Sequence, residues 1–178
     1  DKVTSASLKN GVEIFGDKFI IASGASFTKI IENSVIKDIY YPKIFYGIGY
    51  SLILRTGENT LSNCIRTPNR GLACGVYAAP ETSDQIVIGA SNNIMPFPEY
   101  EPRITSIYSL MKAAMEQINT NYYNARHIKT SIGWRPTSED TIPLIGKSKS
   151  IQNLYISTGT KRDGLHCSPV ISDYISNL

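Results

Sequence analysis

The sequence predicts an α+β or mixed α/β fold, in which an antiparallel-rich mixed sheet carries flanking helices. Three observations support this fold class. Residues 35–98 are rich in Tyr, Ile and Val and are punctuated by Gly and Pro, which is typical of short strands joined by turns. In residues 105–119 apolar residues recur with the spacing of a helix, and the chain ends in a strand followed by a helix.

The N-terminal stretch, residues 1–24, predicts a hairpin followed by a buried strand. Asn10-Gly11 is a strong hairpin signal, because both residue types tolerate the positive φ of a tight turn; Val3 precedes it and Val12, Ile14 and Phe15 follow it. The run 18–22 is largely apolar and ends at Ser23-Gly24. We therefore expect a strand that is covered on both faces.

The middle of the chain predicts three further strands, at residues 50–54, 72–79 and 85–89. The turn-forming residues 80–84 separate the last two, so these should pair antiparallel. Three prolines within residues 91–103 predict a loop there.

The clearest helix is expected over residues 105–119, because apolar residues recur there with helical spacing. These residues are Ile107, Leu110, Met111, Ala114 and Ile118. Thr105 or Ser106 should be the N-cap. Strands are expected next at residues 127–132 and 154–158.

A last helix should begin at Ser168 as N-cap, with Pro169 in the first helical position. Its apolar face would be formed by Val170, Ile171, Tyr174, Ile175 and Leu178.

Composition excludes several classes of protein. Hydrophobic residues make up 42% of the chain and charged residues 19%, which is ordinary for a globular domain. The net charge of +3, carried by scattered basic residues, gives no reason to expect a nucleic-acid partner. No stretch approaches the roughly 20 apolar residues that span a bilayer.

The three cysteines argue against metal and disulfide frameworks. Cys64, Cys74 and Cys167 are odd in number and form no C-x-x-C pair. We expect free, partly buried thiols in a reducing compartment, and hence a cytoplasmic protein.

Two segments have features of a ligand site. The first, residues 133–146, begins Gly-Trp-Arg-Pro and ends Pro-Leu-Ile-Gly; the second, residues 154–165, is a strand followed by a turn that contains Gly159 and Gly164. A turn before a helix presents backbone N–H groups to an anion or a polar ring edge, and glycine lets a flat ligand lie against the backbone. A plain strand-to-helix connection explains the same glycines equally well.

Together these segments resemble the C-terminal part of the FAD-dependent oxidases related to D-amino-acid oxidase and glycine oxidase. The matching features are G-x-R-P at residues 133–136, P-x-I-G at 143–146 and G-x-x-x-D-G at 159–164. Upstream, residues 19–25 resemble the strand beside the flavin, and residues 75–90 resemble paired strands of the substrate domain. The G-x-G-x-x-G segment that opens this family is not found in the sequence, so the chain is expected to be a C-terminal portion.

The resemblance implies oxidation of a C–N bond by hydride transfer to FAD, with an amino acid or small amine as substrate. Because no cysteine lies near G-x-R-P, non-covalent FAD is expected. The implied flavin-binding residues are Ala22, Gly24, Ala25, Gly159, Thr160, Arg162, Asp163, Gly164 and Leu165. The implied substrate-binding residues are Arg135, Arg162 and Tyr77. No catalytic acid or base and no metal ligand is assigned, and Gly164 is expected either to lie close to the flavin ring or to need an unusual φ.

The resemblance also implies a domain division. Residues 1–34 and 147–178 would belong to the FAD-binding domain, and residues 35–146 to the substrate-binding domain. Two alternatives stay open: a non-catalytic small-molecule-binding or interaction domain that has lost its flavin, and an oxidase of a glycine-like side chain on a modified tRNA base. A homo-oligomer is also possible.

Overall fold

The computed structural model describes residues 1–37, 39–57, 61–69 and 75–178. Its strands are β1 (Ser5–Ser7), β2 (Glu13–Phe15), β3 (Phe19–Ile21), β4 (Ile44–Arg55), β5 (Ile65–Arg66), β6 (Tyr77–Pro80), β7 (Gln85–Gly89), β8 (Asn93–Met95), β9 (Arg126–Ser138), β10 (Leu144–Lys147) and β11 (Leu154–Thr158). Its α-helices are α1 (Phe27–Glu32), α2 (Ile104–Gln117) and α3 (Gly164–Ser176), and short 3-10 helices lie at Gly24–Ser26 and Thr120–Asn124.

The chain divides into two compact units. Unit 1 comprises residues 1–47 and 135–178, and unit 2 comprises residues 48–134. Among the described residues, the antiparallel strand pairs, the parallel β3–β11 pair and the helices α1 to α3 confirm the predicted α+β class.

Unit 1 contains the predicted hairpin and a three-stranded sheet. β1 and β2 pair antiparallel around Gly11, whose φ is +83°. In the order β10-β11-β3, β11 pairs antiparallel with β10 and parallel with β3. The strand at β3 agrees with the prediction, but the expected coverage of both its faces is wrong: Ile20 is 57% exposed, because it lies along an open groove instead of against a packed element.

The core of unit 1 depends on a helix that no sequence pattern predicts. Phe27 and Ile31 stand one turn apart on α1 and are both buried, packing with Ile44 and Ile156. Residues at i and i+4 lie on the same face of a helix, so Phe27 and Ile31 present one apolar face to this core.

α3 begins earlier than predicted. It starts at Gly164 with Asp163 as N-cap, so Ser168 is not the cap and Pro169 lies inside the helix. Proline has no N–H to donate to the carbonyl of Leu165; the Ser168 hydroxyl donates to that oxygen instead, at 2.8 Å. Of the predicted apolar face only Ile175 is buried, since Val170, Tyr174 and Leu178 are exposed.

Unit 2 is built on a sheet in the order β5-β6-β7-β4-β8, with β9 pairing β4. β6 and β7 pair antiparallel across the predicted turn, and β7 pairs antiparallel with β4. The expected strand 72–79 lies partly outside the described residues, and β8 interrupts the expected loop 91–103. The peptide bond between Gly89 and Ala90 is cis.

The strands of unit 2 alternate between a buried and a half-exposed face, as period-two packing requires. Ile86 and Ile88 of β7 and Leu52 of β4 are buried, whereas Val87 and Ser51 are half-exposed.

α2 carries the predicted apolar stripe, with Leu110 and Ala114 buried. Its N-cap is Arg103 instead of Thr105 or Ser106, because the Arg103 carbonyl accepts the N–H groups of both Ser106 and Ile107.

Cysteine burial differs from the expectation. Cys64 and Cys167 are free but exposed, and Cys74 lies outside the described residues. Cys167 is exposed because it belongs to the part of α3 that packs on nothing described, residues 165–170.

Candidate functional site

In unit 1 the carboxyl ends of the parallel strands β3 and β11 meet. The Thr158 hydroxyl, on a residue that is 2% exposed, donates to the carbonyl of Gly24 at 2.8 Å. Ligands of open α/β sheets bind outside the carboxyl ends of parallel strands. The turns after β3 and β11, in which most of the predicted flavin-binding residues lie, are therefore tied together at such an edge.

Between β11 and α3 the chain makes a turn at residues 159–163 that needs glycine at its start. Gly159 has a φ of +78°. A Cβ there would lie 3.1 Å from the N of Leu144 and 3.3 Å from the Cα of Pro143. The P-x-I-G segment thus packs directly on Gly159, so the internal packing of the chain requires this glycine.

Gly164 is the first residue of α3, and its φ lies outside the left-handed region. Of the two expected reasons for a glycine here, an unusual φ therefore does not apply, and closeness to the flavin ring stays a prediction. A Cβ at Gly164 would lie 2.8 Å from Oγ1 of Thr160. Around it the chain is open: Arg162 and Asp163 are exposed, and Leu165 is 86% exposed.

The two predicted motif segments lie against each other within unit 1. The Lys161 N–H donates to the carbonyl of Pro136 at 2.8 Å, and Thr137 and Thr160 form an antiparallel bridge. Arg135 is half-buried. A Cβ on Gly47 would lie 3.1 Å from the Cβ of Arg135, so Gly47 gives that side chain the room it occupies.

A groove of about 670 Å³ runs along the β3–β11 pair and α3. Its lining is apolar and hydroxyl-bearing, and Lys18 is its one charged side chain among the described residues. The hydroxyl-bearing residues are Tyr155, Ser157, Thr158, Thr160, Ser168, Ser172 and Ser176.

Near the groove, Gly24 has a φ of +58° and open space where a Cβ would stand. The Ser23 hydroxyl is buried and has no hydrogen-bond partner in the described part of the chain. Ala25 is buried in the 3-10 helix that follows.

Tyr77 lies in unit 2, on the half-exposed face of the sheet. It is directly opposite Gly89 of β7, and a Cβ built on Gly89 would overlap Cζ and Oη of the Tyr77 ring. Gly89 in turn pairs with Ser51 of β4. Gly89 therefore leaves the space in which the phenol lies.

Sequence reasoning missed a polar cluster in unit 2. The buried Tyr50 hydroxyl donates to the Glu99 carboxylate, which also accepts from Arg103, and Trp134 Nε1 donates to the Glu99 carbonyl at 2.8 Å. The Tyr50 hydrogen bond, helped by Arg103, holds the pKa of Glu99 below its usual value, while burial raises the pKa of Tyr50. Tyr50 and Glu99 are 49 residues apart, so no local pattern predicts the pair.

Within the described residues no group of three or more His, Cys, Asp or Glu side chains could hold a metal ion. No helix in the same residues is long and apolar enough to cross a membrane.

Comparison with known proteins gives consistent matches over the whole chain. The family model DAO, described as FAD dependent oxidoreductase, matches residues 1–178. Glycine oxidase from Pseudomonas aeruginosa is 26% identical over 100% of this chain and 45% of its own length. The chain therefore spans about half the length of the curated relative that it matches.

Solved structures show the same fold. Glycine oxidase from Bacillus cereus superposes with a TM-score of 0.79 and 25% identity, over 99% of this chain and 46% of that protein. L-proline dehydrogenase from P. horikoshii superposes with a TM-score of 0.80 at 17% identity, over 99% and 46% of the two chains. The second likeness shows the fold alone.

Proposed function

Because this chain belongs to the DAO family of FAD dependent oxidoreductases, we propose that its protein oxidises the C–N bond of an amino acid or small amine. The similarity to glycine oxidases supports this substrate class. The structural observation that supports the proposal is the bond from the Lys161 N–H to the Pro136 carbonyl, because it joins the segment that contains Arg135 to the turn after β11.

The residues at the ends of β3 and β11 fit a non-covalent FAD. Gly24 offers open space, and the Ser23 hydroxyl is buried without a partner in the described residues. The first turn of α3 offers N–H groups that have no helical acceptor and favour a negative or polar edge. FAD, when bound, supplies the acceptor for the hydride that leaves the substrate's α-carbon.

The flavin would be held by the turns after β3 and β11. Gly159 and Gly164 shape the second turn, and the other contributors are Ala22, Gly24, Ala25, Thr160, Arg162, Asp163 and Leu165. In this proposal residues 1–34 and 147–178 serve the flavin and residues 35–146 serve the substrate. The boundaries of the compact units differ from these, since they fall after Gly47 and after Trp134.

Arg135 is the proposed carboxylate-binding residue. A guanidinium presents a planar fork of N–H donors that pairs bidentately with a carboxylate. Arg135 is half-buried, so its charge is screened less than that of a surface arginine. Arg162, which is exposed, and Tyr77, which is half-exposed, are the further substrate contacts in this proposal.

The test compares an amino acid with its decarboxylated amine in the flavin-loaded full-length protein. A charge-assisted hydrogen bond contributes about 1.5–3 kcal/mol, so Arg135→Ala should lower kcat/KM for the amino acid by about tenfold to a hundredfold. Arg135→Lys should restore it only in part, because an ammonium lacks the fork. The amine should lose little in either variant.

Arg55→Ala is the matched control, since Arg55 forms a surface ion pair with Asp84 at 2.9 Å. This variant should leave kcat/KM unchanged for both substrates. Equal losses for the amino acid and the amine in Arg135→Ala would show that Arg135 is structural, and would contradict the proposed role.

A further inference from the structure

Gly89 is the residue of unit 2 whose missing side chain determines where Tyr77 lies. Tyr77 and Gly89 are direct cross-strand partners, and direct partners on one face of an antiparallel pair have adjacent side-chain positions. The ring atoms that a Gly89 Cβ would overlap are Cζ, Oη and Cε1. The hydroxyl end of the phenol, and not its Cβ end, therefore lies above Gly89.

This placement directs the phenol across the sheet. Gly89 is followed, on the far side of β7, by Ser51 of β4, so Tyr77, Gly89 and Ser51 form one row perpendicular to the strands. The hydroxyl of Tyr77 therefore points along this row toward β4. The neighbours Ala79, Val87 and Ile53 are also only half-buried, so the row lies on the accessible face.

We propose that Gly89 is a positioning residue, whose lack of a side chain sets the Tyr77 hydroxyl over β7 for contact with the substrate. This inference rests on the proposed oxidation of an amino acid or amine, in which Tyr77 contacts the substrate. An alanine at position 89 would fill the space of the ring edge, and the only relief open to the phenol is rotation away from the row. Tyr77, and not the backbone, would move, because β7 is hydrogen-bonded on both sides.

The experiment is a double-mutant cycle on Gly89→Ala and Tyr77→Ala in the flavin-loaded full-length protein. Gly89→Ala should raise KM for the amino acid about tenfold or more, with flavin content unchanged and a smaller change in kcat, as expected for loss of substrate binding. Tyr77→Ala should raise KM similarly. The double variant should equal Tyr77→Ala, since removal of the ring also removes the overlap.

Gly16→Ala is the matched control. A Cβ at Gly16 would make only ordinary contacts, 3.6 Å from the Lys18 carbonyl oxygen and 3.7 Å from the Phe19 ring. Its KM should equal that of the wild type.

The outcomes separate this inference from the proposed function. The role of Gly89 would be overturned by an unchanged KM in Gly89→Ala or in Tyr77→Ala. It would also be overturned if the two KM increases multiplied in the double variant. Arg135→Ala would still test carboxylate binding in each of these cases. If Gly89→Ala alone fails to fold, the double variant should fold with the KM of Tyr77→Ala. A double variant that also fails to fold would overturn the steric argument.

Discussion

Gly159 in unit 1 and Gly89 in unit 2 are both crowded where a Cβ would stand, but by different kinds of atoms. Around Gly159 the close atoms belong to the backbone of residues 142–144, whereas around Gly89 they belong to the Tyr77 ring. Residues 142–144 lead directly into β10, so their backbone can shift less than a side chain, which can rotate or be truncated. In unit 1 the glycine is therefore needed where two backbone segments pass close to each other. In unit 2 it is needed only to make room for the ring of Tyr77.

The largest effect in this comparison is expected for Gly159→Ala. A non-glycine residue in the left-handed region costs about 1–2 kcal/mol, and crowding adds about 1–3 kcal/mol, so the free energy of unfolding should fall by about 2–5 kcal/mol. Denaturant titration measures it. Gly24→Ala is the control, because Gly24 has a φ of +58° but open space where a Cβ would stand. This variant should lose only the stability that corresponds to the left-handed backbone, without the cost of crowding. Equal losses of unfolding free energy in Gly159→Ala and Gly24→Ala would show that crowding by the backbone of residues 142–144 costs nothing.

A smaller and reversible effect is expected for Gly164→Ala, whose Cβ would meet only the Thr160 side chain. Crowding of this kind costs about 1–3 kcal/mol, and Thr160→Ala should restore the lost stability. Flavin content should stay low in the double variant if Gly164 also lies beside the flavin ring. Full recovery of flavin together with stability would show that Gly164 matters only through Thr160.

The smallest effect is a dependence of stability on pH. It is expected for the cluster of Tyr50, Glu99 and Arg103 in unit 2, but not for the packing around Gly159 in unit 1. The pKa of Glu99 is lowered in the folded chain by Tyr50 and Arg103, so its contribution is present above its unfolded-state pKa and is lost as pH falls through the folded-state pKa. Glu99→Gln should be less stable than wild type near neutral pH, with the difference disappearing in acid.

The destabilisation caused by Gly159→Ala involves no titrating group, so it should not depend on pH in this way. Unfolding free energies of both variants and the wild type across the acid range provide the measurement. A Glu99→Gln difference that is constant with pH would contradict the assigned role of the carboxylate.

The elements that the sequence predicted are those with a local signal. The Asn10-Gly11 turn, the strand at residues 85–89 and the strand at residues 154–158 all depend on neighbours within a few positions, and all are present. The two segments that the motifs singled out, residues 133–146 and 154–165, are in contact through the bond from the Lys161 N–H to the Pro136 carbonyl.

What the sequence missed depends on distant partners. α1 forms because Phe27 and Ile31 reach a core completed by Ile156, and nothing near them in the sequence indicates it. The start of α3 was misplaced because Ser168-Pro169 has the form of a helix start, whereas the Ser168 hydroxyl in fact compensates for a proline inside the helix. At Gly89 the sequence indicates only the end of a strand, since its crowding arises from the cross-strand position of Tyr77.

The cofactor provides the most direct test of the proposed oxidation. The full-length protein should purify with a flavin absorption spectrum, and denaturation followed by precipitation should leave the flavin in the supernatant, because the residues around Arg135 include no cysteine for a covalent link. A colourless full-length protein that takes up no added FAD would contradict the proposed function, and flavin that precipitates with the polypeptide would contradict non-covalent binding.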